Sequence, residues 1–372
     1  MHSSTGFIFV LNINGIGAEE MLQTIERGTK LAIAALESNF VQLKFPYKLN
    51  FAITYRCQSR CVTCNIWKLR PTNELSINEI REFASKNPFF KWVGLTGGEP
   101  FLREDIVEIV EAFNKFSKPY LVTLPTNALC DHDMILKKLG KMAELSIPMI
   151  VVTVSLDGYR DLHDKIRGVP GNYDKAIDLF SRVRELGKEK KNVKAVIGYT
   201  ISKFNQGQLE KSFELIKKDL PFVTYGDFHI NVAQQSSNYY HNSIDIMPDR
   251  DKAIDDIKVA IKGRGLPKSA MDLIENRFLK GLLYFVKSGK SPLRSKSLDA
   301  SLFLDSTGNV YPSIMWDFKI GNIRDTNYSL KELWEKREVK EIRKLTKEKK
   351  DPQAWTSCEA YQSILADIKN IL

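Results

Sequence analysis

Short apolar segments alternate with amphipathic segments through the middle of the chain. Apolar runs occupy residues 48–54, 91–96, 120–127, 148–157, 193–202 and 224–233. Between them, apolar positions recur at helical spacing in residues 76–85, 103–116, 131–144, 173–186 and 206–219. Buried strands that alternate with helices are typical of a parallel sheet with right-handed crossovers. The pattern therefore predicts an α/β core of six parallel strands.

Both ends of the chain follow other patterns. Residues 18–38 have the spacing of a helix that packs on the core. A membrane-surface helix is the less favoured alternative, because the polar face is not strongly basic. Towards the C-terminus the sequence predicts helices over residues 248–289 and 329–345, with a hairpin over 300–314 that turns at Ser306–Gly308.

These patterns divide the chain into four expected segments. They are an N-terminal helical extension (1–44), the α/β core (45–245), a helical linker (246–289) and a small α+β C-terminal domain (290–372).

Polar or glycine-rich motifs follow four of the predicted strands. They are "YRCQSRCVTC" (55–64), "GGEP" (97–100), "TNA" (126–128) and "SLDG" (155–158). Ligands of parallel sheets bind at the carboxyl ends of the strands. We therefore expect the four motifs to meet at one rim and to form an active site.

The first motif places Cys57, Cys61 and Cys64 within eight positions, out of five cysteines in the chain. Thiolates suit iron–sulfur clusters and zinc. A zinc site with a distant fourth ligand and a set of incidental buried cysteines are the alternatives, and no histidine lies within the loop. On a four-iron cluster, three thiolates leave one iron open, and an open position can hold a substrate or cofactor.

The C-x₃-C-x₂-C spacing after the first strand, with "GGEP" after the second, resembles the radical S-adenosylmethionine (radical SAM) superfamily over residues 45–235. The resemblance implies a partial (β/α)₆ TIM-like barrel and one [4Fe–4S] cluster on Cys57, Cys61 and Cys64. It also implies that S-adenosylmethionine binds the open iron and is cleaved reductively to a 5′-deoxyadenosyl radical, which abstracts hydrogen. An external electron donor of the ferredoxin or flavodoxin type is implied as well.

The resemblance also implies cofactor-binding roles for residues at the rim. The "GGEP" loop would present a backbone edge to the methionyl amino group, Ser155 and Arg167 would bind its carboxylate, and Asp157 would reach the ribose. The expected cofactor-binding set is Gly97, Gly98, Glu99, Pro100, Asn127, Ser155, Asp157 and Arg167.

Several of these residues have structural alternatives. "TNA" is equally typical of a plain strand-to-loop turn. Arg167 could form a surface ion pair with Asp161 or Asp164, and Asp157 could cap its own turn.

Other residues near the expected rim carry weaker signals. Thr63 stands before the last cysteine, where the family is commonly aromatic, and Trp67 is a possible replacement against the adenine. Thr200 and Asn231 are expected to point toward the rim, and His229 is expected to be a packed strand histidine rather than a catalyst. Cys130 has Asp131 and His132 beside it, but an ordinary cysteine near a helix start is the favoured interpretation over a metal ligand. No catalytic residue is assigned.

The C-terminal segment resembles the twitch or SPASM domain, which usually binds auxiliary iron–sulfur clusters. The positions where that pattern places cysteines carry Ser313, Asp351 and Ala354, and residues 292–298 contain no cysteine. Only Cys358 remains in this part of the chain. We therefore predict a SPASM-like cap that retains the fold without its cluster and shields the radical from water.

Composition adds little to the choice of substrate. The net charge of +10 and pI near 9.1 favour anionic partners without selecting one. The Lys-rich stretch 336–350 mixes Glu with Lys at helical spacing, which favours a solvated helix face over a nucleic-acid patch.

No signal peptide or transmembrane segment is predicted, since the apolar stretch 6–13 lacks a basic flank and is too short to span a bilayer. The few, clustered cysteines favour a reducing cytoplasm over a disulfide framework.

Two functional hypotheses follow. The first is a radical SAM enzyme acting on a peptide, a cofactor precursor or a lipid. The second is a non-catalytic iron–sulfur or metal-binding scaffold that retains the fold. The oligomeric state is not predicted.

Overall fold

A computed structural model describes residues 17–242 and 245–367. The apolar stretch 6–13 lies outside the described residues. Six strands and their crossover helices form the core, in the order β1 (Lys48–Thr54), α2 (Ile77–Lys86), β2 (Trp92–Gly97), α3 (Ile106–Ser117), β3 (Leu121–Thr126), α4 (His132–Ala143), β4 (Met149–Ser155), α5 (Asp161–Arg167), α6 (Asn172–Glu189), β5 (Val193–Ile201), α7 (Leu209–Asp219) and β6 (Phe228–Val232).

The remaining elements flank this core. They are α1 (Ala18–Phe40), α8 (Arg250–Arg264), α9 (Ala270–Ser288), β7 (Ser301–Leu304), β8 (Asn309–Tyr311), β9 (Gly321–Asn322), α10 (Leu330–Glu335), α11 (Arg337–Lys347) and α12 (Ser357–Ala366).

The strands form one sheet in the order β6-β5-β4-β3-β2-β1-β7-β8-β9. The first six strands are parallel, which confirms the predicted α/β class and the partial barrel. β7 also pairs with β1 in parallel, and β8 and β9 continue antiparallel. The C-terminal hairpin thus covers the edge that β1 would otherwise expose. This shared sheet joins the C-terminal domain directly to the core. The boundaries of the four segments expected from the sequence therefore stay predictions.

One face of the sheet packs on the helices and the other lines a lumen. In β4 the side chains alternate between half-buried and fully buried, and β6 shows the same alternation. The fully buried positions join the helices in one large apolar core that includes Ile150, Val152, Val154, Phe228 and Ile230. The other positions are the ones available to a ligand.

The first helix packs on the core, as the sequence predicts. Leu31 and Ala35 of α1 pack with Tyr47, Trp92 and Tyr120 near the amino ends of the strands. In the part of the chain that the structure describes, no helix is long and apolar enough to cross a membrane.

Candidate active site at the carboxyl end of the barrel

The cysteine loop follows β1 and is held by the end of α5. The backbone N–H of Arg60 donates to the carbonyl of Arg167, and that of Val62 donates to Ile166, both at 2.9 Å. Gly168 follows α5 with φ +66°, and a Cβ there would lie 2.4 Å from the Arg60 carbonyl oxygen. This close contact fixes the cysteine loop relative to the loop after β4.

Cys57, Cys61 and Cys64 are half-buried and line one cavity. The Asn127 amide donates to Cys57 Sγ at 3.6 Å, and the Arg167 guanidinium donates to Cys61 Sγ at 3.8 Å. Burial raises the pKa of the Cys57 thiol to about 11 and that of Cys64 to about 12. A metal reverses this effect, because a coordinated thiol is deprotonated. Three soft donors, with hydrogen-bond donors aimed at two of the sulfurs, fit an iron–sulfur cluster.

Gly97 and Gly98 let the second loop approach the first. Gly98 N–H donates to Thr54 O, and Glu99 N–H donates to Arg56 O, both at 2.8 Å. A Cβ on Gly97 would lie 2.0 Å from Thr54 O, and one on Gly98 would lie 2.2 Å from Arg56 O. Both glycines line the cavity. Their backbone therefore forms part of the cavity wall, where Gly97 O already accepts the Tyr239 hydroxyl at 3.2 Å, and its contact with a cofactor stays a prediction.

Glu99 points away from the cavity. Its buried carboxylate accepts hydrogen bonds from Asn127 N–H at 2.7 Å and from Phe101 N–H at 3.1 Å. Burial raises the pKa of Glu99 to about 7, although these two donors oppose the shift. Glu99 and Pro100 lie behind the residues that line the cavity. The Glu99 side chain joins the loops after β2 and β3, and cofactor contacts by these two residues stay predictions.

Arg167 and Asp157 form a buried ion pair, with 2.7 Å between Nη2 and Oδ2. Asp157 Oδ1 accepts the N–H of Thr200 at 2.9 Å. The alternative partners Asp161 and Asp164 are therefore wrong for Arg167. Asp164 instead accepts backbone N–H groups that follow α5, including that of Gly171 at 2.6 Å.

These contacts limit what Asp157 and Arg167 can still bind. Both oxygens of Asp157 are engaged, whereas Arg167 Nε has no hydrogen-bond partner among the described residues. Ser155, Asp157, Arg167 and Asn127 all line the cavity, as expected for residues that follow parallel strands.

The cavity occupies the barrel lumen, with a volume of about 710 Å³. It extends from the three cysteines to residues at the amino ends of the strands. Its wall comes from alternate strand positions: Lys48, Asn50, Trp92, Gly94, Thr96, Thr123, Met149, Val151, Thr153, Lys194, Val196, Gly198, Thr200, His229 and Asn231. One continuous space thus joins the candidate cluster site to the centre of the barrel.

His229 belongs to a polar network that the sequence did not predict. Tyr361 of α12 donates to the carboxylate of Glu275 in α9, and its oxygen lies 2.9 Å from His229 Nδ1. Because the Tyr361 hydrogen is already donated to Glu275, His229 Nδ1 must carry a hydrogen of its own. His229 Nε2 and Asn231 Oδ1 are buried without hydrogen-bond partners within the described ranges. Both residues line the cavity, although these two atoms themselves are buried.

No sequence signal pointed to Glu275 or Tyr361, because they lie on helices far along the chain. The sequence indicates only that His229 and Asn231 lie on the same face of β6, because they are two positions apart.

Cys130, Asp131 and His132, which the sequence placed side by side, make ordinary structural contacts. Asp131 caps α4 by accepting Met134 N–H at 2.7 Å, and His132 contacts Asp178 at 2.7 Å. Cys130 Sγ accepts the Gln58 amide at 3.2 Å. These contacts fit the ordinary interpretation of Cys130. Trp67 and Cys358 both line the barrel cavity.

Two family models match the chain. Residues 51–216 match the Radical SAM superfamily, and residues 297–360 match SPASM, the iron-sulfur cluster-binding domain. The chain is 25% identical over 309 residues to Fe-coproporphyrin III synthase of Methanosarcina barkeri, covering 76% of this chain and 72% of that protein. It is 24% identical over 308 residues to pre-heme d1 synthase of Dinoroseobacter shibae, covering 76% and 71%.

Solved structures share the fold. Native anSMEcpe with bound AdoMet matches with TM-score 0.58 at 19% identity, over 81% of this chain and 84% of that one. Streptococcus suis SuiB bound to S-adenosylmethionine matches with TM-score 0.56 at 17% identity, over 87% and 73%.

The matched domain, the thiols in the lumen and the enzymes among the relatives lead to one conclusion. The chain is an enzyme rather than a scaffold, and its cofactors are a [4Fe–4S] cluster and S-adenosylmethionine. Enzymes of this kind need an electron donor. This protein belongs to the radical SAM superfamily, with a SPASM-type domain at its C-terminal end.

Proposed function

We propose that the enzyme abstracts a hydrogen atom from a small cofactor precursor bound in the barrel lumen, next to a cluster held by Cys57, Cys61 and Cys64. The observation that carries this proposal is the single cavity that joins the three thiols to His229 and Asn231. When bound and reduced, the cluster and S-adenosylmethionine supply the 5′-deoxyadenosyl radical that abstracts hydrogen.

The rim residues would hold S-adenosylmethionine in distinct ways. The backbone of Gly97 and Gly98 faces its amino group. Arg167 binds its carboxylate, because a guanidinium fork matches a carboxylate and Nε is free among the described residues. Asp157 fixes the orientation of Arg167, since both of its oxygens are already used. Ser155 and Asn127 complete the wall of this part of the cavity.

A cofactor precursor is favoured over a peptide or a lipid as the substrate. The two relatives that match about three quarters of this chain, at 76% each, are named for tetrapyrrole synthesis. The peptide-bound structural neighbours lie below 25% identity and support only a common fold. The net charge of +10 suits an anionic substrate. A carboxylate-bearing tetrapyrrole is the first candidate.

A reducing cytoplasm and a ferredoxin- or flavodoxin-type donor complete the proposal. In support, all five cysteines are free thiols. An oxidising compartment would favour their pairing.

The test is an anaerobic assay of 5′-deoxyadenosine formation by the reconstituted, reduced protein, with coproporphyrin III and its iron complex as the first added probes. We expect formation to rise several-fold when a tetrapyrrole substrate is present. Cys61→Ala should abolish product, whereas Cys130→Ala, a thiol outside the three-cysteine set, should behave as wild type. Stimulation by peptides and not by tetrapyrroles would overturn the substrate class, and absence of 5′-deoxyadenosine would overturn the reaction.

A further inference from the structure

The SPASM-type cap brings its expected cluster positions together around a cavity. Ser313, Asp351 and Ala354 occupy positions where the domain pattern expects cysteines, and Ser295 and Ser297 lie in the segment expected to supply another. All five residues line one small cavity. Positions as far apart in the chain as 297 and 354 therefore converge, so the place of the auxiliary cluster is retained.

The donors at this cavity do not fit an iron–sulfur cluster. Such clusters are held by thiolates, whereas the cavity offers serine hydroxyls, two carboxylates and the methyl group of Ala354. Cys358 is the only cysteine between residues 297 and 360. Its side chain lines the barrel cavity and not this one.

The space is also too small for a cluster. The cavity measures about 10 Å³, which is close to the minimum that holds one water molecule. Trp316 and Trp355 form part of its wall. Trp355 is almost fully buried, stacks on Phe278 with 6.1 Å between ring centroids, and donates its indole N–H to Phe278 O at 2.9 Å. Aromatic packing has thus closed the site around a residual gap.

Glu359 gives this gap a polar character. Its side chain is 6% exposed, and Oε2 accepts the Ser297 hydroxyl at 3.1 Å. Oε1 has no hydrogen-bond partner in the described part of the chain. An unpaired buried carboxylate oxygen is costly, and a bridging water is the usual solution.

We propose that this cavity is a vestigial auxiliary-cluster site, in which one water molecule donates to Glu359 Oε1 and bridges to the surrounding serines in place of iron and sulfide. The cap then holds its fold by hydrogen bonds and aromatic packing, and the enzyme carries one cluster per chain. This inference does not depend on the substrate proposed above.

The cap remains attached to the barrel without a metal. Lys48 of β1 donates to Cys358 O at 2.9 Å and to Gln362 Oε1 at 3.0 Å, both on α12. Gln362 in turn donates to Ser301 of β7 at 2.9 Å. These contacts place α12 against the lumen, where the cap closes the barrel but relays no electrons.

The decisive experiment counts iron and sulfide in a variant that lacks the barrel cysteines. Cys57→Ala/Cys61→Ala/Cys64→Ala, reconstituted anaerobically, should retain no cluster. About four irons per chain in this variant would overturn the proposal. The matched control, Cys130→Ala/Cys358→Ala, should keep the wild-type iron content.

A second measurement decides the question if the triple variant does not fold, as circular dichroism would reveal. Mössbauer spectroscopy and iron analysis of the reconstituted wild-type protein should give about four irons per chain, and about eight would contradict the proposal. A crystal structure should show a single water within hydrogen-bonding distance of Glu359. Anomalous iron density in that cavity would refute it.

Discussion

Arg167 is the residue on which most of the candidate site converges. Its backbone carbonyl holds the cysteine loop through Arg60, and its guanidinium contacts both Cys61 and Asp157. Burial would lower its pKa, but Asp157 and Cys61 outweigh burial and raise it. Arg167 therefore stays charged and contacts one thiol, while its buried Nε has no hydrogen-bond partner among the described residues.

Replacing Arg167 with Ala should leave the buried Asp157 carboxylate without a counter-ion. We expect a loss of roughly 3 kcal/mol in unfolding free energy and at least a tenfold weaker binding of S-adenosylmethionine. Thermal unfolding and equilibrium dialysis measure the two effects. Arg182→Ala, which removes an exposed pair with Asp133, should leave both measurements nearly unchanged, because solvent screens an exposed pair. If Arg167→Ala and Arg182→Ala had equal effects on stability and on S-adenosylmethionine binding, Arg167 would not be the residue that holds Asp157 and the cofactor.

Glu359 should make stability depend on pH. Burial raises its pKa from 4.5 to about 7, although Lys48 opposes the shift. Between these values the folded state binds a proton that the unfolded state has released, so stability is present at low pH and is lost as pH rises through 7. The thermal midpoint should fall more steeply from pH 5 to pH 8 in wild type than in Glu359→Gln. The difference should correspond to roughly 1–3 kcal/mol, and parallel pH profiles would argue against the assigned shift.

At the scale of elements, the tight contact between the loops after β1 and β2 positions the thiols. Gly98→Ala would place a methyl group 2.2 Å from the Arg56 carbonyl, so the two loops must separate. We expect this variant to lose most of its iron after reconstitution, measured per chain. Gly140→Ala in α4 is the control, because no described atom beyond its chain neighbours and its own helix backbone lies within 4 Å of the added methyl group. It should keep full iron content and gain up to about 1 kcal/mol of stability.

The elements themselves were largely predictable. The six core strands and their order followed from apolar runs and from the crossover rule. The helix predicted over residues 329–345 breaks at Lys336, whose backbone is extended (φ −60°, ψ 147°). No Pro or Gly marks this break, and the Lys336 side chain donates to Ile320 O at 3.0 Å, a tertiary contact. A contact of this kind leaves no periodic signal in the sequence.

The candidate site was predictable only where residues follow strands. Cys57, Gly98, Asn127 and Ser155 reach one cavity because parallel strands end at one rim. The Arg167 partner was missed, since loop geometry decides between Asp157 and the nearer-looking Asp164. Glu275 and Tyr361 were missed because only the packing of α9 and α12 brings them to His229.

At the scale of the whole molecule, the cap closes the lumen through the network of His229, Glu275 and Tyr361. These residues belong to β6, α9 and α12, so the network joins a barrel strand to two helices that follow the barrel in the chain. Tyr361→Phe removes both hydrogen bonds of the hydroxyl and leaves Glu275 less well paired. We expect the free energy of unfolding to fall by roughly 1–3 kcal/mol, and thermal unfolding measures this loss. Tyr284→Phe, at an exposed position on α9, the helix that carries Glu275, should change the free energy of unfolding by less than about 0.5 kcal/mol. A similar effect of both changes would show that the network does not hold the cap.

This chain is a radical SAM enzyme, and we propose that its single cluster lies on Cys57, Cys61 and Cys64. The most direct measurement is the amount of 5′-deoxyadenosine formed per chain by anaerobically reconstituted protein that holds about four irons, after reduction and addition of S-adenosylmethionine. We expect 5′-deoxyadenosine from wild type and none from Cys61→Ala. A reduced, fully loaded wild-type cluster that yields no 5′-deoxyadenosine would show that the chain does not carry out this reaction.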